Sequence, residues 1–193
     1  PISMGGSGDT SEMTGYGVYQ GMRACAKEIW GTESLADCRI AIQGFGHTAT
    51  ALVNHLLEKE VGVILTISDI NEDALRQARK HPQIELIEPS EIYDIECDIF
   101  APCALGGVLN SQTIPRLKCK IVSGSANNQL FDISDGDTLT ENGILYAPDY
   151  VVNAGGVINV SCEVDTAYDQ HAARTRTSRI YETLEQVIAT SKK

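Results

Sequence analysis

The sequence predicts an α/β fold: a doubly wound, mostly parallel sheet with helices on both faces and further helices at the C-terminus. Two observations carry the prediction. From residue 39 onward, short runs rich in Ile and Val alternate with stretches whose apolar residues recur at helical spacing. Runs this short, separated by helices, suit the strands of a parallel sheet covered on both faces. At 193 residues and 42% hydrophobic content, the chain suffices for one well-cored domain.

The elements follow in order. After "GGSGDTSE", Tyr16, Tyr19, Met22, Ala26 and Ile29 predict a helix from about Thr14 to Trp30, with Gly31 as its stop signal. "RIAIQG" (39–44) is the first strand, followed by a helix over 47–60. Next come "GVILTISD" (62–69), a helix over 71–80, "IELI" (84–87), "CDIFAP" (97–102), "KIVSG" (120–124) and "GILYAP" (143–148). Beyond "NAGGVINVS" the pattern gives two helices, about 155–168 and 171–190, and no further strand. Residues 1–193 read as a single domain without internal repeats or low-complexity segments.

A net charge of -11 repels phosphate backbones and anionic lipid, and the 15 basic residues are scattered, with no cluster beyond Lys192 and Lys193. Nucleic acid and membrane are therefore not expected as partners. No apolar run reaches the roughly 18 residues that span a bilayer, and "PISMGGSGDT" lacks the basic and apolar regions of a secretory leader. The expected location is cytoplasmic. Six cysteines without a CxxC pair or zinc-type spacing read as reduced, mostly buried thiols, and no metal site is expected. The start on proline, in a loop-like glycine stretch, reads as that of a piece of a longer protein, although processing gives the same start.

"GFGHTA" places Gly44 and Gly46 where the chain leaves its first strand, and Ala49 where a small side chain lets the helix approach that strand. Such a turn presents a helix N-terminus to a pyrophosphate in a Rossmann-like fold. Glycine turns between strand and helix also occur for purely structural reasons. The second strand ends in Asp69, 23 residues beyond Gly46, where a carboxylate accepts from both adenosine-ribose hydroxyls. "SDIN" sets Ile70, and no arginine, beside it, so NAD is expected in preference to NADP. The alternative for Asp69 is the N-cap of the helix starting near Asn71. His47 either approaches a phosphate or stands in solvent on the helix's first turn, the second being favoured. His55, His81 and His171 lack sequence partners suggesting a triad or metal site.

Ligands of open parallel sheets sit at the carboxyl ends of the strands. There this chain offers "APCALGG" (101–107), "GSANNQL" (124–130) and "APDYVVNAGGVINV" (147–160), which supply small residues, amides and backbone groups with hardly any charge. That surface suits a flat, neutral nicotinamide amide better than acid–base chemistry.

With "GGSGD", "TGYGVYQGM", "QGFG", "SDIN", "CDIFAPCALGG", "GSANNQL", "ILYAPDYVVNAGGVINV" and "IYETLEQV" in order over nearly its whole length, the chain resembles the amino-acid dehydrogenases related to glutamate dehydrogenase. The likeness is closest to the leucine dehydrogenases, with phenylalanine, valine and tryptophan relatives. It implies that Gly44, Phe45 and Gly46 face the pyrophosphate, with His47 and Thr48 beside it, and that Asp69 and Ile70 face the adenosine ribose. Cys103, Ala104 and Leu105 would line the cofactor, Ala126 and Asn127 would border the nicotinamide ribose, and Thr14 would contact the nicotinamide amide. Asn153 would sit between nicotinamide and the substrate's amino group, with Val157 and Val160 forming this domain's side of the substrate pocket. Valines at this helical spacing are otherwise core residues. His47-Thr48 replaces the Asn-Val that the family often carries, a departure bearing on cofactor affinity; hydroxyls at Thr48 and Thr50 either assist phosphate binding or face solvent.

The family's reaction takes an L-amino acid, NAD and water to a 2-oxo acid, ammonium and NADH. The resemblance implies that its catalytic lysines, with a nearby aspartate, lie on a separate N-terminal domain, and no segment here matches theirs. Lys27, Lys59 and Lys80 fall on helical stretches, Lys118 and Lys120 at a strand entry opposite the ligand edge, and Lys192 and Lys193 at the tail. The expectation is no catalytic residue in this chain, which would bind NAD without turnover and require the missing catalytic domain or a partner chain, within a homo-oligomeric intact enzyme. The neutral "NAGGVINV" favours an apolar side chain. Two other readings stand: a stand-alone NAD-binding regulatory or docking module, and an oxidoreductase acting through Cys103.

Overall fold

A computed structural model describes residues 8–163 and 168–192. Helix α1 (Ser11–Trp30) precedes a six-stranded sheet, wholly parallel, in the order β3-β2-β1-β4-β5-β6. One wing consists of β1 (Arg39–Gln43), α2 (His47–Lys59), β2 (Ile64–Ser68), α3 (Glu72–Ala78) and β3 (Ile84–Leu86). The chain then crosses to β4 (Ile99–Pro102) and continues outward through β5 (Ile121–Val122), α4 (Asp135–Glu141) and β6 (Leu145–Tyr146). Helices α5 (Asp149–Val152), α6 (Gly155–Ser161), α7 (Gln170–Ser178) and α8 (Ile180–Ser191) follow. Winding reverses between β1 and β4, so the connections leaving their carboxyl ends diverge and open a crevice there.

Both faces of the sheet are covered, but unequally. Ile40, Ile42, Leu65, Ile67, Ile99 and Ile121 pack with Val18 and Met22 of α1, Leu52 and Leu56 of α2 and Leu184 of α8. On the opposite face, Ala41, Phe100 and Val122 meet Ile92, Leu109, Ile114 and Leu139. That layer is thin, formed by two 3₁₀ turns (Ile92–Asp94 and Ile114–Arg116) and α4. Sequence periodicity misses these pieces because each is about two turns or less, too short to develop a helical stripe.

Other boundaries shift for local reasons. Helix α1 starts before Thr14, because Asp9 Oδ1 accepts from Ser11 N at 2.9 Å and Thr10 O accepts from Thr14 N at 3.0 Å. Helix α3 is shorter than 71–80: Asn71 caps it by accepting from Asp73 N at 2.9 Å, and its end tightens where Lys80 N donates to Gln77 O. Lys80 therefore lies beyond the helix rather than on it. The expected helix 171–190 is two helices, the break falling where Arg179 N donates to Arg176 O at 3.2 Å. The turn redirects Ile180, Leu184 and Ile188 into the core. Helix α6 closes near Cys162, whose N–H donates to Ile158 O and Asn159 O. The rest of the expected helix 155–168 reaches residues 164–167, outside the described residues, as are Lys193 and residues 5–7 of the glycine stretch.

Candidate functional site

The crevice begins at the turn after β1. Gly44 has φ +93°, a left-handed conformation that glycine adopts without Cβ strain, and a Cβ here would lie 2.7 Å from Ala104 Cβ. Gly46, by contrast, has φ -77° and faces open space, so a Cβ would meet nothing within 4 Å. It precedes α2, whose first turn has neither a side-chain cap nor an acidic residue. The orphan N–H groups and positive helix end are therefore left for an anion. Phe45 differs from the expectation: its side chain is buried in the core and its N–H donates to Asp69 Oδ2 at 2.5 Å.

Asp69 thus joins the ends of two strands. Oδ1 accepts from Asn71 N at 2.7 Å while Oδ2 holds the glycine turn, and Asn71 takes the N-cap role that sequence alone leaves open to Asp69. Ile70 is 89% exposed beside it. His47 is exposed, its Nδ1 3.4 Å from Asp9 Oδ2. Thr50 Oγ1 donates to Gly46 O at 3.0 Å, so that hydroxyl is engaged by its own helix, whereas Thr48 lines the neighbouring cleft.

That cleft, with about 520 Å³ of space, is bounded by Thr10, Thr14, Thr48, Ser125, Asn127, Asn153, Gly156, Val157 and Val160. The close crossing of α1 and α6 builds it: a Cβ on Gly155 would overlap the Met13 carbonyl, and only glycine lets α6 approach Thr14. Asn153 Nδ2 donates to Asn127 Oδ1 at 2.7 Å and more weakly to Ser125 O at 3.4 Å, tying the end of α5 to the loop after β5. Val157 is 75% exposed and Val160 46% exposed. Neither is core; both face the cleft. Thr10, Ser125 and Gly156 join them without having been singled out in the sequence, although "GSANN" and Thr10, one turn before Thr14, offered the signal.

The loop after β4 lies against the glycine turn, and Cys103, Ala104 and Leu105 are not among the residues that bound the cleft. Ala104 is exposed against Gly44, Leu105 is 75% exposed, and Cys103 N donates to Gln43 O at 2.7 Å. Burial pushes the Cys103 thiol up, although contact with Ser125 opposes the shift. A raised thiol carries less of the thiolate that acts as a nucleophile, and no histidine or carboxylate among the described residues lines the cleft. The side chain of Ala126 is buried, its N–H donates to Pro102 O and its carbonyl accepts from Gln129 Nε2, both at 3.0 Å.

No described lysine lines the cleft. Lys118 and Lys120 stand at the entry of β5, and Lys80 lines a separate groove with His47, Gln77 and His81. His55 is buried between Tyr16 and Tyr19, and its Nε2 lies 3.0 Å from Glu12 Oε1. Glu12 was not legible as its partner because it belongs to α1, whose packing on α2 only the fold establishes. No group of His, Cys, Asp and Glu among the described residues is arranged to hold a metal ion. No helix there is long and apolar enough to cross a membrane.

Comparison with known proteins agrees with this fold. The family model described as glutamate/leucine/phenylalanine/valine dehydrogenase matches residues 5–72 and 69–192. Leucine dehydrogenase of Bacillus cereus is 49% identical over 191 residues, covering 99% of this chain and 51% of that protein. Valine dehydrogenase of Streptomyces albus is 43% identical over 191 residues, covering 97% and 52% respectively. The crystal structure of L-tryptophan dehydrogenase from Nostoc punctiforme superposes with a TM-score of 0.91 at 40% identity, over 96% of this chain and 56% of that one. The chain therefore spans about half the length of the curated relatives it matches.

Proposed function

The chain belongs to the glutamate/leucine/phenylalanine/valine dehydrogenase family, and from that premise we propose that residues 1–193 are the NAD-binding domain of an L-amino-acid dehydrogenase acting on an apolar amino acid. The observation that carries this reading is the uncharged cleft, in which Thr14, Asn127 and Asn153 stand beside Val157 and Val160, at the carboxyl edge next to the open N-terminus of α2. Bound there, NAD supplies a hydride acceptor. Gly46 and the first N–H groups of α2 hold its pyrophosphate, and Asp69, with lone pairs left on both oxygens, accepts from the adenosine ribose. The Asn127–Asn153 bond commits Asn153 Nδ2, so Oδ1 is the end that remains to accept from a substrate ammonium. Val157 and Val160 give an aliphatic substrate side chain an apolar wall and leave a carboxylate unpaired.

The proton-transferring groups belong, on this reading, to polypeptide outside residues 1–193, with the intact enzyme a cytoplasmic homo-oligomer. The test is calorimetric titration of the purified chain with NAD and NADP, followed by assay of the same sample with L-leucine and L-phenylalanine. NAD binding without turnover is the expected result. Turnover by this chain alone would place the general base among its own residues and overturn the division of labour.

A further inference from the structure

At the sheet edge opposite the cleft, two cysteines, each two residues before its strand, stand in register. β4 and β5 pair with Ile99 opposite Ile121 and Phe100 opposite Val122. The same offset continues backward through an isolated parallel bridge between Glu96 and Lys118, which brackets Cys97 opposite Cys119. The ladder is closed there by Lys120 N and Ile121 N, both donating to Asp98 O. Neighbouring strands lie about 4.8 Å apart, within the roughly 4.4–6.8 Å Cα separation that a disulfide spans. Both thiols enter one apolar cluster with Ile92, Phe100, Ile114 and Val122.

We propose that Cys97 and Cys119 are a site of oxidative modification, a dithiol that a hydroperoxide converts to an intramolecular disulfide stapling the start of β4 to that of β5. Access is through a groove of about 640 Å³ that Cys119 lines together with Ile114, Leu117, Lys118, Lys120 and Thr138. The shared register and cluster set the two sulfurs on one face of the ladder: the Cys119 S–H favours a thiolate at Cys97, and the Cys97 sulfur, together with burial, pushes Cys119 up. With hydrogen peroxide, Cys97 thiolate attacks one oxygen, the O–O bond breaks, and the displaced oxygen leaves as water after taking a proton (as an alcohol from an organic hydroperoxide), giving a sulfenic acid. Cys119 sulfur, losing its proton, then displaces the sulfenic oxygen as a second water while the S–S bond forms. Two thiols lose two electrons, and one hydroperoxide O–O bond takes them.

The other cysteines lack this arrangement. Burial pushes Cys25 up to about 12 and Cys38 up to about 11, and Cys162 Sγ accepts from Arg176 Nη1 at 3.6 Å. All six are free thiols in the structure.

The experiment treats the folded wild-type chain with hydrogen peroxide, blocks remaining thiols and maps peptides without reduction. A peptide pair joined through Cys97 and Cys119, with two fewer titratable thiols and the pair released by reductant, is expected. In Cys119→Ala the link disappears and dimedone labels Cys97. Retention of six titratable thiols, or oxidation confined to Cys103 or Cys162, overturns the proposal, and because the readout is wild-type mass, a poorly folding variant does not protect it. The site is remote from the cleft, so NAD binding and this oxidation fail or succeed independently.

Discussion

The backbone N–H of Phe45 donates to Asp69 Oδ2 at 2.5 Å, so one carboxylate fixes the glycine turn after β1 from the end of β2. Its other oxygen holds Asn71 N. A residue that would hold a ribose is thus already part of the turn that would hold the pyrophosphate.

Replacing Asp69 with Ala therefore lowers both stability and affinity. Two backbone donors lose a charged acceptor, at about 1–3 kcal/mol for the unmade bonds, and NAD weakens by a similar amount on the proposed reading. Chemical denaturation and calorimetric titration measure the two separately. A stability loss with unchanged NAD affinity would restrict the carboxylate to holding the turn.

The two turn glycines separate in the same experiments. Gly44→Ala combines φ +93° with a Cβ 2.9 Å from the Ala104 backbone, and destabilises by more than about 1 kcal/mol. Gly46→Ala, at φ -77° and facing open space, leaves the unfolding midpoint nearly unchanged. Its added methyl stands where a pyrophosphate would approach, so NAD affinity falls instead. Equal denaturation midpoints for the two variants would contradict the geometry.

Asn127 and Asn153 are predicted to act as a unit. Because their side chains share a 2.7 Å bond, a double-mutant cycle with alanine on NAD affinity gives a coupling energy of roughly 0.5–3 kcal/mol. Strict additivity would mean that the pair does not orient either amide for the ligand.

His55 makes stability depend on pH. Burial holds its folded-state pKa below the ordinary value; Glu12 opposes this, Arg174 reinforces it and Glu58 opposes it more weakly. Tyr16 and Tyr19 flank the ring. A lowered folded pKa means that the unfolded chain takes up the proton first, so this contribution is complete above about pH 6.5 and is lost as pH falls toward the folded value. The wild-type minus His55→Gln difference in unfolding free energy, from urea denaturation, accordingly shrinks between about pH 7.5 and pH 5.5. A difference that grew on acidification would show that a charged His55–Glu12 pair stabilises the fold.

What was legible in the sequence is what local chemistry specifies. Ile- and Val-rich runs and the Gly44–Gly46 turn gave the parallel sheet and its ligand edge, because burial pattern and φ preference act within a few residues. Val157 and Val160 were ambiguous for the same reason: a two-valine stripe reads alike whether it meets core or cleft. Helices α4 and α5 and the break at Arg179 were not legible, since short helices and direction changes depend on what they pack against.

By itself, then, the sequence determined the fold class, the glycine turn with Asp69 across from it, and the scarcity of charge in the cleft motifs. The tertiary structure alone decided that Asp69 grips the Phe45 backbone, that Asn127 holds Asn153 across 26 residues of chain, that His55 meets Glu12 and that Cys97 faces Cys119. Each of those pairs joins residues from different elements. Their partners are chosen by sheet register and helix crossing, which arise only when the whole core is buried at once.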